Sequence, residues 1–291
     1  MKLSENSASA GLVVGCILFG LGSIIVAHLP IGAYAIAFWR LAVASVIFLI
    51  LARLFRQRFP RSSQARRCAL IAGLFLAFDL ALWHESIYAV GPGISTLLNS
   101  LQIFWLSAIG FMLYRERQTP LQLFSMLLAT LGVVLIGSPE FSHNGNALWG
   151  FTSGVLSGLC LALSMVFVRK THEAEPTPIF PLMLLISIGG IITLIAPMLL
   201  LDTGKILPTT WQQVGWILVY GAVMQCLAWG LIAYSIPMLS LSLTGLLLLT
   251  EPVAALIIDT FLLGKNINTL QWLGAACTLT AIYLGSLKKS K

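Results

Sequence analysis

Five ionisable side chains, Arg40, Asp79, Glu85, Glu251 and Asp259, fall inside runs of apolar residues long enough to cross a bilayer. On insertion scales each costs about 2.5–3.5 kcal/mol at the centre of a span. A charge kept at that cost is a candidate for ligand binding, proton transfer or ion pairing. At 1.5 Å per residue, Arg40 lies roughly 10 Å from one end of the second run, and Asp79 about 13 Å from the same end of the third. Opposite charges at matching depth on consecutive antiparallel helices are expected to pair. Such a pair either pins the two helices or opens when Arg40 takes a substrate carboxylate or Asp79 carries a proton.

Glu251 lies about 14 Å into its run, near the midplane. Pro252 follows it, removing a backbone donor and favouring a kink that frees a carbonyl for a ligand. Asn99 and Gln102 are three residues apart, so one helix face presents both, to a cavity or to a neighbouring helix. His84 and Glu85 point about 100° apart and cannot both meet one ligand squarely. His84 is either a bonded core residue or part of a proton relay, and Glu85 is a candidate for proton coupling. Asp259 is about 6 Å from its helix end and ranks last, since water is within its reach. Trp83, Trp105 and Trp229 lie deep enough to fill the core or to stack on an aromatic or cationic substrate. Trp105 follows Gln102 by three and is expected on the Asn99–Gln102 side. Tyr88 and Tyr234, near helix ends, read as interface aromatics.

The elements that must hold these residues are transmembrane helices. Hydrophobic residues make up 58% of the 291 residues and charged residues only 9%, against about 25% charged in a soluble domain. Too few charges remain to cover a water-facing surface, so lipid is the solvent for most of the chain. The apolar runs read as ten helices, near 8–27, 33–52, 68–88, 93–113, 120–137, 148–168, 179–201, 213–235, 242–263 and 270–287. Lys2 is the one basic residue ahead of the first run and Glu5 weakens any signal-peptide n-region, so that run is expected to stay as a span. Outer-membrane strands are excluded because the runs are too long and do not alternate.

With a cytoplasmic N-terminus, the inside holds Lys2, Arg53, Arg56, Arg58, Arg61, Arg66, Arg67, Arg115, Arg117, Arg169, Lys170, Lys288, Lys289 and Lys291, and the outside only Lys205 and Lys265. This positive-inside bias predicts a multi-pass inner-membrane protein with both termini in the cytoplasm. It also accounts for the net charge of +7 without nucleic acid. Residues 1–137 and 148–291 read as two five-helix repeats joined by a polar periplasmic linker, 138–147. Under an offset of 149, Ser86-Ile87 falls on Ser235-Ile236, Leu97-Leu98 on Leu246-Leu247, and Leu121-Gln122 on Leu270-Gln271. A unit with an odd number of crossings must be inverted in its second copy, a recurring plan among secondary transporters with midplane sites. Gly11 and Gly15, and Gly150, Gly154 and Gly158, form small-residue stripes for close helix packing or for sliding; they permit a homodimer without requiring one. Cys16, Cys68, Cys160, Cys226 and Cys277 are scattered and read as small buried hydrophobes.

Phe38-Trp39-Arg40-Leu41-Ala42-Val43-Ala44 resembles the Arg-containing signature of the drug/metabolite transporter superfamily, EamA branch. Ser86 to Arg117 resembles its third and fourth helices with the acidic-basic turn Arg115-Glu116-Arg117, and Thr250-Glu251-Pro252-Val253-Ala254 resembles its ninth-helix signature. The order and spacing of these short motifs carry the resemblance across essentially the whole chain. Two departures stand out: Gln102-Ile103 where the fourth helix commonly has a proline, and Gly264-Lys265-Asn266 where an acidic residue is expected after the ninth. The resemblance implies ten helices, movement of small metabolites, amino acids among them, and no covalent chemistry.

No phosphate-cradling Gly-rich loop, His-Glu-x-x-His, paired-Cys spacing or Gly-x-Ser-x-Gly occurs. An ATP motor is therefore not expected, nor any cofactor or metal. A lipid-head-group enzyme lacks a visible nucleophile or metal cluster. A receptor or scaffold remains, separated from a carrier by its tolerance of a Glu251 substitution. The leading expectation is an alternating-access secondary transporter exporting an amino acid. Arg40 would take the carboxylate and an acid the ammonium. Proton-coupled efflux of an organic cation is the alternative, since the membrane acids outnumber the one Arg.

Overall fold

Helix is the only structure that satisfies every backbone polar group inside one apolar segment, and helices are what the chain forms. The computed structural model describes residues 5–22, 25–26, 29–137, 146–254 and 268–286, and no strand occurs among them. Asp259, Lys265, the lysine-rich tail and residues 138–145 of the expected linker lie outside the described residues.

The helices are α1 (Glu5–Gly20), α2 (Ala33–Leu54), α3 (Ser63–Val90), α4 (Pro92–Asn99), α5 (Gln102–Tyr114), α6 (Pro120–Gly137), α7 (Ala147–Ala174) and α8 (Ile179–Leu201). Then come α9 (Trp211–Val219), a π-helical segment (Tyr220–Ala228), α10 (Trp229–Ser235), α11 (Leu241–Leu248) and α12 (Thr269–Ser286). α4 with α5 makes one interrupted pass, α9 to α10 another, and α11 with helical residues 250–254 a third. Among the described residues, Ala33–Leu54, Leu148–Ala174, Ile179–Leu201 and Trp211–Met238 are each long and apolar enough to cross a membrane alone.

Several helices outrun their expected bounds. The Ser62 hydroxyl caps α3, accepting from Ala65 N–H at 3.3 Å, so that helix begins five residues before its apolar run. The 28 residues of α7 reach about 42 Å, which carries Arg169 and Lys170 beyond the hydrocarbon. The expected unbroken 93–113 helix stops at Ser100–Leu101, where Leu101 N–H bonds back to Leu98 at 3.2 Å in a tightened turn. The ninth pass does the same: Leu249 N–H bonds to Leu246 at 3.1 Å and the helix resumes at 250.

α7 lies along α3, α8 against α2 and α3, α1 against α10, α6 against α12, and α11 against α5. Glycines set the closest approaches. A Cβ at Gly154 would press on Ser86 and Leu98, one at Gly158 on the Asn99 carbonyl at the α4–α5 break, and one at Gly15 on the Ala228 carbonyl. Both stripes are thus packing surfaces. The five cysteines are free; Cys16 is buried and the others half-buried.

Candidate functional site

Arg40 is fully buried, and its guanidinium organises the centre of the bundle. Nε donates to Gln225 Oε1 at 2.8 Å and Nη1 to the Tyr220 hydroxyl at 2.7 Å. Its Cζ stands over two rings, 4.7 Å from the Phe19 centroid and 4.5 Å from that of Tyr220. These contacts offset part of the desolvation of a buried cation. Nη2 finds no acceptor.

The π-helical segment makes this cradle. Tyr220 and Gln225 are five residues apart, which is one step of i→i+5 bonding, so they stack on one face. In a regular α-helix the same spacing would rotate them about 140° apart.

The expected ion pair of Arg40 with Asp79 does not form. Asp79 Oδ1 instead accepts from Asn99 Nδ2 at 2.8 Å, and the same nitrogen donates to Ser157 Oγ at 2.9 Å. α3 turns Asp79 toward the α4–α5 break and away from contact with Arg40. Among the described residues no acid lies within ion-pair distance of Arg40, although Asp79 and Glu251 both lie within its electrostatic reach. A buried cation without a contacting anion is costly to keep.

His84 is bonded at both nitrogens. Nδ1 is 2.9 Å from the Ala33 carbonyl and Nε2 is 3.0 Å from the Tyr220 hydroxyl. A carbonyl only accepts, so Nδ1 carries the proton. Arg40 only donates, so the Tyr220 oxygen accepts from it and sends its own proton to Nε2. One directed chain therefore runs from Arg40 through Tyr220 and His84 to the start of α2. Trp83 packs on His84 and Phe19, with centroids 5.6 and 6.0 Å away, and Trp229 packs on Phe19 at 6.3 Å. Both indoles are buried with unpartnered N–H groups, and Gln102 Oε1 and Gln225 Nε2 are likewise unpartnered.

Glu251 is half-buried just past the ninth-pass break, within electrostatic reach of Arg40, Asp79, Tyr220 and Cys16. Two expected residues do not join this group. Trp105 is 39% exposed and faces outward: it follows buried Gln102 by three within α5, which turns it about 60° away from the Gln102 side chain. Glu85 accepts from Trp149 Nε1 at 3.1 Å, toward the bundle end. Phe19, Tyr220, Gln225 and Ser157 were not expected; Gln225, a lone amide in an apolar run, was the readable signal among them.

Both ends of the bundle are closed by carboxylates that bind backbone at helix starts. At one end Asp202, just beyond α8, accepts from Ala35 N–H at 2.6 Å in the first turn of α2. A Cβ at Gly32 would collide with that carboxylate. Gly32 N–H donates to the Lys205 carbonyl at 3.0 Å and Trp39 Nε1 to the Ile206 carbonyl at 2.8 Å. Burial pushes the Asp202 carboxyl above the usual range, while the Ala35 and Tyr34 N–H groups pull it back. At the arginine-bearing end Glu116 Oε1 meets Arg169 Nη1 at 2.9 Å and accepts from Leu241 N–H, at the start of α11, at 3.2 Å. Glu175 Oε2 accepts from Ser62 N–H at 2.6 Å, and backbone bonds from Ser62 and Arg61 hold this carboxyl below the usual range.

An all-helical multi-pass membrane protein with a polar centre between interrupted helices has the architecture of a transporter. The sequence profile of the EamA-like transporter family matches it twice, over residues 7–138 and 148–287, and the chain belongs to that family. Named relatives include the uncharacterized transporter YetK of Bacillus subtilis, 23% identical over 98% of this chain and 86% of that one. Another is a Salmonella typhimurium protein named as a probable amino-acid metabolite efflux pump, 22% identical over 68% of each chain. One solved crystal structure superposes with a TM-score of 0.77 over 97% of this chain and 98% of its own at 14% identity, a likeness of fold.

Proposed function

We propose that this transporter exports an amino acid across the inner membrane by alternating access, around a site centred on Arg40, Asp79 and Glu251. The observation that carries the reading is the buried Arg40 guanidinium, which among the described residues has no carboxylate against it and lies within electrostatic reach of two acids. A zwitterion matches that pattern, its carboxylate toward Arg40 and its ammonium toward Asp79 or Glu251. Asn99 and Gln102, on either side of the α4–α5 break, complete the acceptor side, and Trp83 and Trp229 pack beside it on Phe19. The name of the Salmonella relative agrees with this substrate class.

Internal symmetry supports the rocking motion. The breaks at Ser100 and Leu249 are 149 residues apart, the offset read from the sequence. Interrupted helices in corresponding positions of two halves are the usual place of a carrier's site. Gly154 packs on Ser86 while Gly11 packs toward Ser235, its counterpart at the same offset. We read 1–137 and 148–291 as inverted halves joined by the periplasmic linker, with both termini cytoplasmic and the Arg169 end inside. Asp79, Glu251 and the His84 chain are the candidates for moving a coupling proton.

Uptake of labelled amino acids and organic cations into proteoliposomes, with and without a pH gradient, tests the reading. Saturable amino-acid flux is expected, reduced at least about tenfold in Glu251→Gln with insertion unchanged. Uptake of cations alone would replace the amino-acid reading with proton-coupled cation efflux, and full flux in Glu251→Gln would remove that residue from the site.

A further inference from the structure

The donors around Phe19 define a subsite more specific than a lone arginine. Gln225 has its orientation fixed by chemistry: Arg40 Nε can only donate, so the atom 2.8 Å from it is the amide oxygen. The amide nitrogen on the same carbon therefore lies beside the guanidinium, fully buried and without an acceptor. Arg40 Nη2 is also without one, since Gln225 holds Nε and Tyr220 holds Nη1. Trp83 and Trp229 add two more unpartnered, buried N–H groups, both on rings packed against the Phe19 ring that Arg40 covers.

Four buried donors without an acceptor lie in this one group, whereas most buried polar atoms are bonded. Each costs free energy until a ligand or an ordered water supplies an acceptor. We propose that Arg40 Nη2 and Gln225 Nε2 form the carboxylate subsite of this carrier, with the indole N–H groups of Trp83 and Trp229 as further donors, and that Gln225 determines specificity for acids over amides and amines. The inference rests on the carrier reading and names the chemistry of its site. A planar acceptor with two oxygens fits a guanidinium nitrogen beside an amide nitrogen, as in two-pronged recognition of carboxylates.

Gln225→Glu is the decisive variant. It conserves volume, keeps an oxygen for Arg40 Nε, and turns the donor at Nε2 into an anionic acceptor paired with Arg40. Binding to the full-length protein in nanodiscs is read from tryptophan fluorescence. The probes are L-amino acids and short monocarboxylic acids, each beside its primary amide and the corresponding amine. We expect at least one acid to bind, its amide about tenfold weaker, and the acid lost by about a hundredfold in Gln225→Glu. Amine binding in that variant is expected to hold or improve, an inversion that a merely structural role for Gln225 would not produce. Gln225→Leu, which removes donor and acceptor together, is expected to weaken acids without favouring amines.

Equal binding of acid and amide by the wild type, unchanged acid affinity in Gln225→Glu, or no binding by any acid each overturns the subsite. The carrier reading fails separately. Acid binding with the predicted Gln225 dependence but no saturable flux would remove transport and leave the subsite. Amine or amide flux without acid selectivity would do the reverse.

Discussion

The two closures of the bundle solve one problem with different chemistry. At each end a carboxylate from one half caps the start of a helix in the other: Asp202 on α2, Glu116 on α11. Asp202 is buried, meets backbone N–H groups, and has no cation within ion-pair distance among the described residues. Glu116 is shared with Arg169, which also reaches Glu173 at 3.3 Å and lies 4.0 Å over the Tyr114 ring. The first closure is short-ranged and shielded; the second is a partly exposed charge network. In the proposed topology the outer end is therefore held by geometry and the inner end by charge. The inner end is the one that changes in ionic surroundings can loosen.

The largest effect is expected from breaking the outer closure. Asp202→Ala leaves first-turn N–H groups of α2 unpartnered where Gly32 offers no side-chain cap. Loss of a cap costs about 1–2 kcal/mol, visible as a lowered melting temperature of the purified protein and faster amide exchange at Ala35. Asp202→Asn keeps an acceptor and should fall between wild type and Asp202→Ala. Equal stability of all three would erase the contrast between the ends. A smaller effect is expected inside. Glu116→Gln keeps an acceptor for Leu241 but loses the pairing with Arg169, whose side chain is 22% exposed, for about 0.5–1 kcal/mol. Raising the salt concentration should mimic that variant at Leu241 and leave Ala35 unmoved. Exchange that rises equally at both amides would show that the inner end is held by packing.

What the sequence made legible divides along similar lines. Membrane-depth charges, glycine stripes and the polar amides follow from composition and helical spacing, and Arg40, Asp79, His84, Asn99, Gln102 and Glu251 do occupy the interior. Azimuth was not legible wherever a helix departs from 3.6 residues per turn. The π-helical segment brought Tyr220 and Gln225 onto one face, where they hold Arg40 in place of the expected Arg40–Asp79 pair. Trp105 turned outward because a spacing of three leaves it about 60° from Gln102. Asp202 was missed, and Glu116 was noted only as part of the Arg115-Glu116-Arg117 turn, for another reason. The backbone N–H groups they bind are more than a hundred residues away, and a backbone donor leaves no residue-type signature.

Acidity separates two of these carboxylates most finely, because their shifts have opposite signs. Glu175 is held below the usual carboxylate range by the backbone N–H groups of Ser62 and Arg61. Its ionised form is favoured by folding. Its contribution is complete above the unfolded value of about 4.3 and disappears as pH falls through the lower folded value. Asp202 is raised, chiefly by burial. The folded protein then holds that proton more tightly than the unfolded chain. Stability contributed there declines as pH rises from about 3.9 through the raised folded value, and is flat beyond it. Amide exchange at Ser62 and Ala35, followed from pH 7 down to 3.5, should diverge. Ser62 loses protection at the acid end of the series, whereas the local stability at Ala35 holds or rises once intrinsic exchange is corrected for. Glu175→Gln should flatten the first profile and Asp202→Asn the second. Parallel profiles at the two amides would mean that burial does not govern Asp202, and the outer closure would then belong to the same charge-held class as the inner one.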